Sequence, residues 1–194
     1  MHLIEPYYLW RDYYTAEDDP ESLTYGKVYN EFHFTDQIYN FVIHPQWDSF
    51  GSETLYFKQL FTDYDQGFCV IELIGEWNDA INNDVMYLKN ELIDILIELG
   101  IQNFILIVEN VLNFHTLDKD YYQEWNEEIE GDIYFVNAQQ QVIDELNEHG
   151  MSEFIQYDGP LNDLMWRKQK PDRMMEYLSK RLGRLEDFHS FVEL

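Results

Sequence analysis

Three short apolar runs constrain the fold of this chain more than any other feature: Val70-Ile71-Glu72-Leu73-Ile74, Phe104-Ile105-Leu106-Ile107-Val108 and Ile133-Tyr134-Phe135-Val136. Each has the length of a strand, and Phe104–Val108, a continuous apolar run, reads as a strand buried on both faces of a parallel sheet. Between the first two, Ile81, Val85, Leu88, Leu92, Ile95 and Leu99 recur at spacings of four and three, which is one face of an α-helix. Asp79, Asn82 or Asn83 is placed to cap its start, and Gly100 stands where a left-handed residue closes a helix. A helix between two buried strands is a β-α-β unit. The pattern continues with an acidic helix over Asp118–Glu130, a helix over Ala138–His149 capped by Asn137 and ended by Gly150, and a short strand within Phe154–Tyr157. The fold class is therefore α/β, with a β-α-β-α-β-α core over residues 67–157.

Residues 1–66 have a different character and hold 17 of the 33 aromatic side chains. Two hairpins are expected there, one pairing Val28–Phe34 with Gln37–Ile43 and one pairing Thr54–Phe61 with Gly67–Ile74, the second around Asp63-Tyr64-Asp65-Gln66-Gly67. They make the sheet mixed and the segment an extension of the same domain. Its aromatic side chains either complete the core or face a partner, and both uses are compatible with tyrosine, whose ring buries while its hydroxyl reaches water. Residues 158–194 form a C-terminal helical segment, with helices over Leu161–Lys168 and Asp172–Leu182, the second begun by Pro171 and stopped by Gly183.

The formal charge of -26 is unevenly spread: Arg167, Lys168, Lys170, Arg173, Lys180, Arg181 and Arg184 are seven of the 12 basic side chains. The remaining body repels phosphate backbones and anionic lipid, which argues against nucleic-acid and membrane partners. Cys69 is the only cysteine, so neither an intrachain disulfide nor a cysteine zinc site is available, and a core position is expected for it. The amino terminus lacks a basic segment followed by an apolar run, and no apolar stretch reaches membrane-spanning length, so the expected location is cytoplasmic.

Chemistry in a parallel sheet concentrates just past the carboxyl ends of strands. Trp77, Asn78 and Asp79 follow the first core strand, and Glu109, Asn110 and His115 follow the central one. If the two strands are neighbours, Asp79, Glu109 and His115 could converge for acid-base work or ligand binding. Each also has a simpler use as a helix cap, a loop hydrogen bond or a local contact. No cofactor is implied, because the chain has neither G-x-x-x-x-G-K-[ST] nor G-x-G-x-x-G, and no metal is implied, because the histidines are scattered. No side chain is singled out as catalytic. Asp63-Tyr64-Asp65-Gln66-Gly67 lacks the terminal glutamate of a calcium loop and reads as a turn.

From Cys69 to Tyr157 the chain resembles the STAS domain family, the fold of bacterial anti-sigma-factor antagonists. The resemblance rests on Val70-Ile71-Glu72-Leu73-Ile74-Gly75-Glu76, on Phe104–Val108, and on Ile133–Asn137 followed by Val142, Leu146 and Gly150-Met151. It implies the fold; together with the missing cofactor motifs and the lopsided charge, the expectation is a non-enzymatic protein-interaction or regulatory module on a STAS-like scaffold. That family's phosphorylated serine has no counterpart in Asn113-Phe114-His115-Thr116-Leu117-Asp118, where Thr116 is the hydroxyl available. Homodimerisation through an edge of the N-terminal sheet is compatible with this role. The rival reading is a small-molecule-binding protein or enzyme built on Asp79, Glu109 and His115.

Overall fold

The computed structural model describes residues 3–30, 32–38, 41–116 and 119–182. Its main sheet has five strands: β4 (Leu55–Asp63), β5 (Phe68–Asn78), β6 (Asn103–His115), β7 (Ile133–Val136) and β8 (Ile155–Gln156). They lie side by side in chain order, with β4 antiparallel to β5 and every later pair parallel. A smaller sheet of β1 (Leu3–Ile4), β2 (Gln37–Ile38) and β3 (Phe41–Ile43) is ordered β1-β3-β2. The protein is thus α/β with a mixed five-stranded sheet.

The unbroken strand order dictates where the helices go. Each parallel crossover moves one strand in the same direction, and right-handed crossovers then deliver every helix to the same face. One core cluster fits this: Cys69, Ile71, Leu106 and Phe135 of the sheet pack with Val85, Leu92, Trp125 and Leu146. These come from α2 (Asp84–Leu88), the π-helical turn Lys89–Ile93, α4 (Asp120–Glu128) and α5 (Gln140–Glu148), with α3 (Asp94–Glu98) continuing the first helical stretch. The opposite face, with Phe68, Val70, Ile105, Ile107 and Val136, is left for the two ends of the chain. Trp10 of the N-terminal segment covers it together with Leu161, Leu164, Trp166, Met174 and Leu178 of the C-terminal segment.

Several local expectations are corrected. The stretch 79–99 is not one helix: α1 (Asp79–Asn82) ends at Asn83, whose φ of 54° is left-handed. Ile81 is thereby turned out of the apolar face and is 81% exposed. The π-helical turn admits one extra residue, so the buried face passes from Leu92 and Ile93 to Leu96, while Ile95 is only half-buried. Lys89 in that turn is buried and ion-paired with Asp94 and Glu128, at 2.8 Å each.

The first hairpin joins only Gln37–Ile38 to Phe41–Ile43, and the described residues of 28–34 form no strand, whereas β4 and β5 pair as expected. Asn137 does not cap α5, which is preceded by Gln139. Its amide is taken by Leu164, whose N–H donates to Oδ1 at 2.9 Å and whose carbonyl accepts from Nδ2 at 3.1 Å. Leu164 is held extended as a result, and 161–168 is no α-helix but two 3₁₀ turns, Gly159–Asp163 and Trp166–Lys168. Pro171–Arg173 is a third, followed by helix over 174–182. Asp118, Gly183 and the rest of the C-terminal segment lie outside the described residues.

Candidate functional site

β5 and β6 are neighbours, as the strand-end hypothesis requires, and both continue well past the other parallel strands. Two register shifts, between Glu72 and Ile74 and between Gly75 and Glu76 of β5, insert extra residues on β6. They divide the six candidate side chains among separate surroundings.

Trp77 and Asp79 belong to the helical face. Trp77 is buried, and its Nε1–H donates to Asp79 Oδ1 at 3.0 Å. The same oxygen accepts the Val85 N–H at 2.8 Å, and Oδ2 accepts the Tyr122 hydroxyl at 2.6 Å. Desolvation raises the Asp79 carboxyl to about 6 against these stabilising bonds. Asn78 caps α1, accepting the Ile81 N–H at 3.0 Å, and its own N–H donates to the buried Asp84 at 2.7 Å. Thr116 is also buried beneath this face.

Glu109 points to the opposite face. Arg167 meets it in a two-pronged ion pair, and Asn137 Nδ2 and Trp166 Nε1 donate to Oε2 at 3.3 and 3.4 Å. Although partial burial opposes the charge, Arg167 holds this carboxyl below its ordinary range. Asn110 lies apart from both, beside Ile4, Ile38 and Ile74 in a small apolar recess under the three-stranded sheet. His115 is exposed and faces Glu145 at 3.5 Å, an oxygen it shares with His149. A site using Asp79, Glu109 and His115 together is not assembled: the three serve three different networks. Among the described residues no group of three or more His, Cys, Asp or Glu side chains is placed to hold a metal ion.

Two polar networks and a cleft escaped the sequence reading. Glu72, fully buried in β5, accepts the Tyr7 N–H at 2.8 Å and lies 3.7 Å from Arg167, so one guanidinium faces both Glu72 and Glu109. Desolvation raises Glu72 to about 7. Its signal was legible as one ionisable residue inside an apolar run. Lys58 of the edge strand β4 is buried against Asp48 at 3.2 Å, Glu17 and the Tyr29 hydroxyl at 2.7 Å, with the Tyr29 ring 4.1 Å below it. Lys27 pairs with the other Asp48 oxygen. These partners come from two connections, the one between β1 and β2 and the one between β3 and β4, and no spacing announces them.

Beside this network opens a cleft of about 430 Å³, walled by Leu23, Lys27, Asp48, Phe50, Tyr87 and Glu91 among others. Its volume is within the range of small-ligand and side-chain pockets. Surface apolar groups gather on the same part of the chain. Eleven large apolar side chains are exposed among the described residues, and eight of them (Tyr8, Leu9, Tyr13, Leu23, Tyr25, Val28, Phe32 and Phe34) precede residue 35.

Compared with known protein-family models and with curated proteins, the chain matches none. No helix among the described residues is long and apolar enough to cross a membrane.

Proposed function

We propose that the chain is a non-enzymatic protein-interaction or regulatory module on a STAS-like scaffold, working in the cytoplasm. The observation that carries this reading is the apolar surface of residues 1–66. Val28 is 92% exposed and Phe32 86%, so each forgoes about 1.5–3 kcal/mol that full burial would supply. The segment does not lack places to bury apolar groups, since Trp10, Ala16, Trp47 and Phe50 are all in the core. A concentration of water-exposed apolar side chains in one segment of an otherwise well-packed chain fits a surface that meets a partner. The strand-end groups Trp77, Asn78, Asp79 and Glu109 support the same reading, because each is bonded within the protein. The alternation of strands and helices from Phe68 to Gln156 supports the STAS-like scaffold.

Affinity capture from native lysate tests it. The full chain is expected to recover a specific protein that a Val28→Ser/Phe32→Ser variant of equal thermal stability fails to recover. Nothing above background, or equal recovery by both, would contradict the reading.

A further inference from the structure

Resting on that reading, we propose that the cleft walled by Leu23, Phe50, Tyr87 and Glu91 is the anchor point for a basic protein partner and receives one of its arginine or lysine side chains. Charge favours such a partner. Residues 1–166 carry 33 of the 38 acidic side chains and five of the 12 basic ones. A field of that sign steers positively charged partners and repels nucleic acid and anionic lipid.

The lining of the cleft suits a cation. Lys27 and Asp48 are both in the wall, but they are bound to each other, and Asp48 also accepts from Lys58 and from Tyr29. Their charges offset one another. Glu91 is the wall's remaining charge; it is exposed and has neither an ion pair nor a hydrogen bond among the described residues. Tyr87 lines the same cleft, and its ring borders Gly51. An aromatic face beside an unpaired carboxylate suits a long cationic side chain, whose stem lies on the ring while its head meets the acid. Phe50 and Phe57 supply buried apolar wall, and Leu23 an exposed apolar edge. A buried anchor inside an apolar ring that excludes water is how interfaces concentrate their affinity.

Fluorescence anisotropy of a short labelled peptide in which arginine alternates with leucine provides the test, with its glutamate-leucine counterpart as control. Titrations use the full chain at about 0.15 M salt, where screening within about 8 Å suppresses diffuse attraction. The arginine peptide is expected to bind, and Glu91→Gln and Leu23→Ser each to weaken it about fivefold or more. Glu127→Gln, which removes the same charge from the exposed side of α4, is expected to change binding by less than about twofold. Thermal unfolding of each variant confirms that the fold is retained. Equal effects of Glu91→Gln and Glu127→Gln, no effect of either cleft variant, or equal binding of the acidic peptide would overturn the inference. If the arginine peptide fails to bind while Phe32-dependent capture from lysate persists, the basic partner is wrong and the interaction module stands.

Discussion

Glu72 shows how one residue in this sheet ties together distant parts of the chain. It occupies the middle of β5, holds the Tyr7 backbone and shares Arg167 with Glu109, so the sheet and both terminal segments meet at one carboxylate. Because its folded value is raised from 4.5 to about 7 by desolvation, the folded state holds this proton more tightly than the unfolded chain does. The stabilising contribution is complete below about 4.5 and is lost as pH rises through about 7. Wild type is therefore expected to lose on the order of 3 kcal/mol relative to Glu72→Gln between pH 5 and pH 8, measured by urea unfolding at each pH. A stability difference that is constant with pH would show that Glu72 does not titrate in this range. Asp79, raised to about 6, pushes the wild-type profile in the same direction and is common to both proteins.

Lys58 poses the opposite case, a buried cation with two carboxylates around it. Lys58→Met leaves Asp48 and Glu17 short of a partner and is expected to cost about 3 kcal/mol or more. The exposed Lys27 meets the same Asp48, yet Lys27→Met should cost no more than about 1 kcal/mol. Comparable losses in urea midpoints for the two variants would refute the difference in burial on which this contrast rests.

At the scale of elements, the helix after β5 is shaped by two departures from regularity, the left-handed Asn83 and the π-helical turn that follows α2. Asn83→Gly is expected to be neutral within about 0.5 kcal/mol and Asn83→Ala to cost about 1–2 kcal/mol, since glycine has no β-carbon to oppose positive φ whereas alanine keeps the β-carbon and loses the short polar group that lets asparagine tolerate it. Equal effects on thermal unfolding would contradict this. The same two features explain what the sequence could and could not reveal. Apolar spacing marked Val85, Leu88 and Leu92 correctly because these residues sit before or within the turn, in regular register. It misplaced Ile81 and Ile95 because a period of 3.6 carries no notice of a break or an inserted residue. The central strand was legible from the unbroken apolar run Phe104–Val108, and β5 from a run interrupted only by Glu72. Asn137 looked like a cap because asparagine often is one, but tertiary hydrogen bonds to Leu164 outcompeted that local role.

The whole molecule follows from strand order. Five strands laid down in sequence put the helices on one face, and the other must be closed by whatever precedes and follows them. This order never reverses, so it creates no crevice of the kind found where neighbouring crossovers diverge. The strand ends past β5 and β6 are accordingly filled with internal bonds, and the candidate residues read from their position alone fell into separate networks. The cleft beside Lys58 was illegible for a related reason: its walls come from residues 23–27, 48–51 and 87–91, brought together only by the fold. What composition did reveal was the aromatic excess of residues 1–66, part of which closes the core and part of which remains on the surface.

The claim that this surface exists to meet a partner is tested most directly by site-specific photo-crosslinking. A benzophenone amino acid is placed at position 25 or 32 in the exposed segment, or at position 141 on α5 as a control, and the full chain is irradiated in native lysate. The account predicts one shared heterologous adduct from positions 25 and 32 and none from position 141. Adducts from position 141 alone, or no adduct from any position, would contradict it.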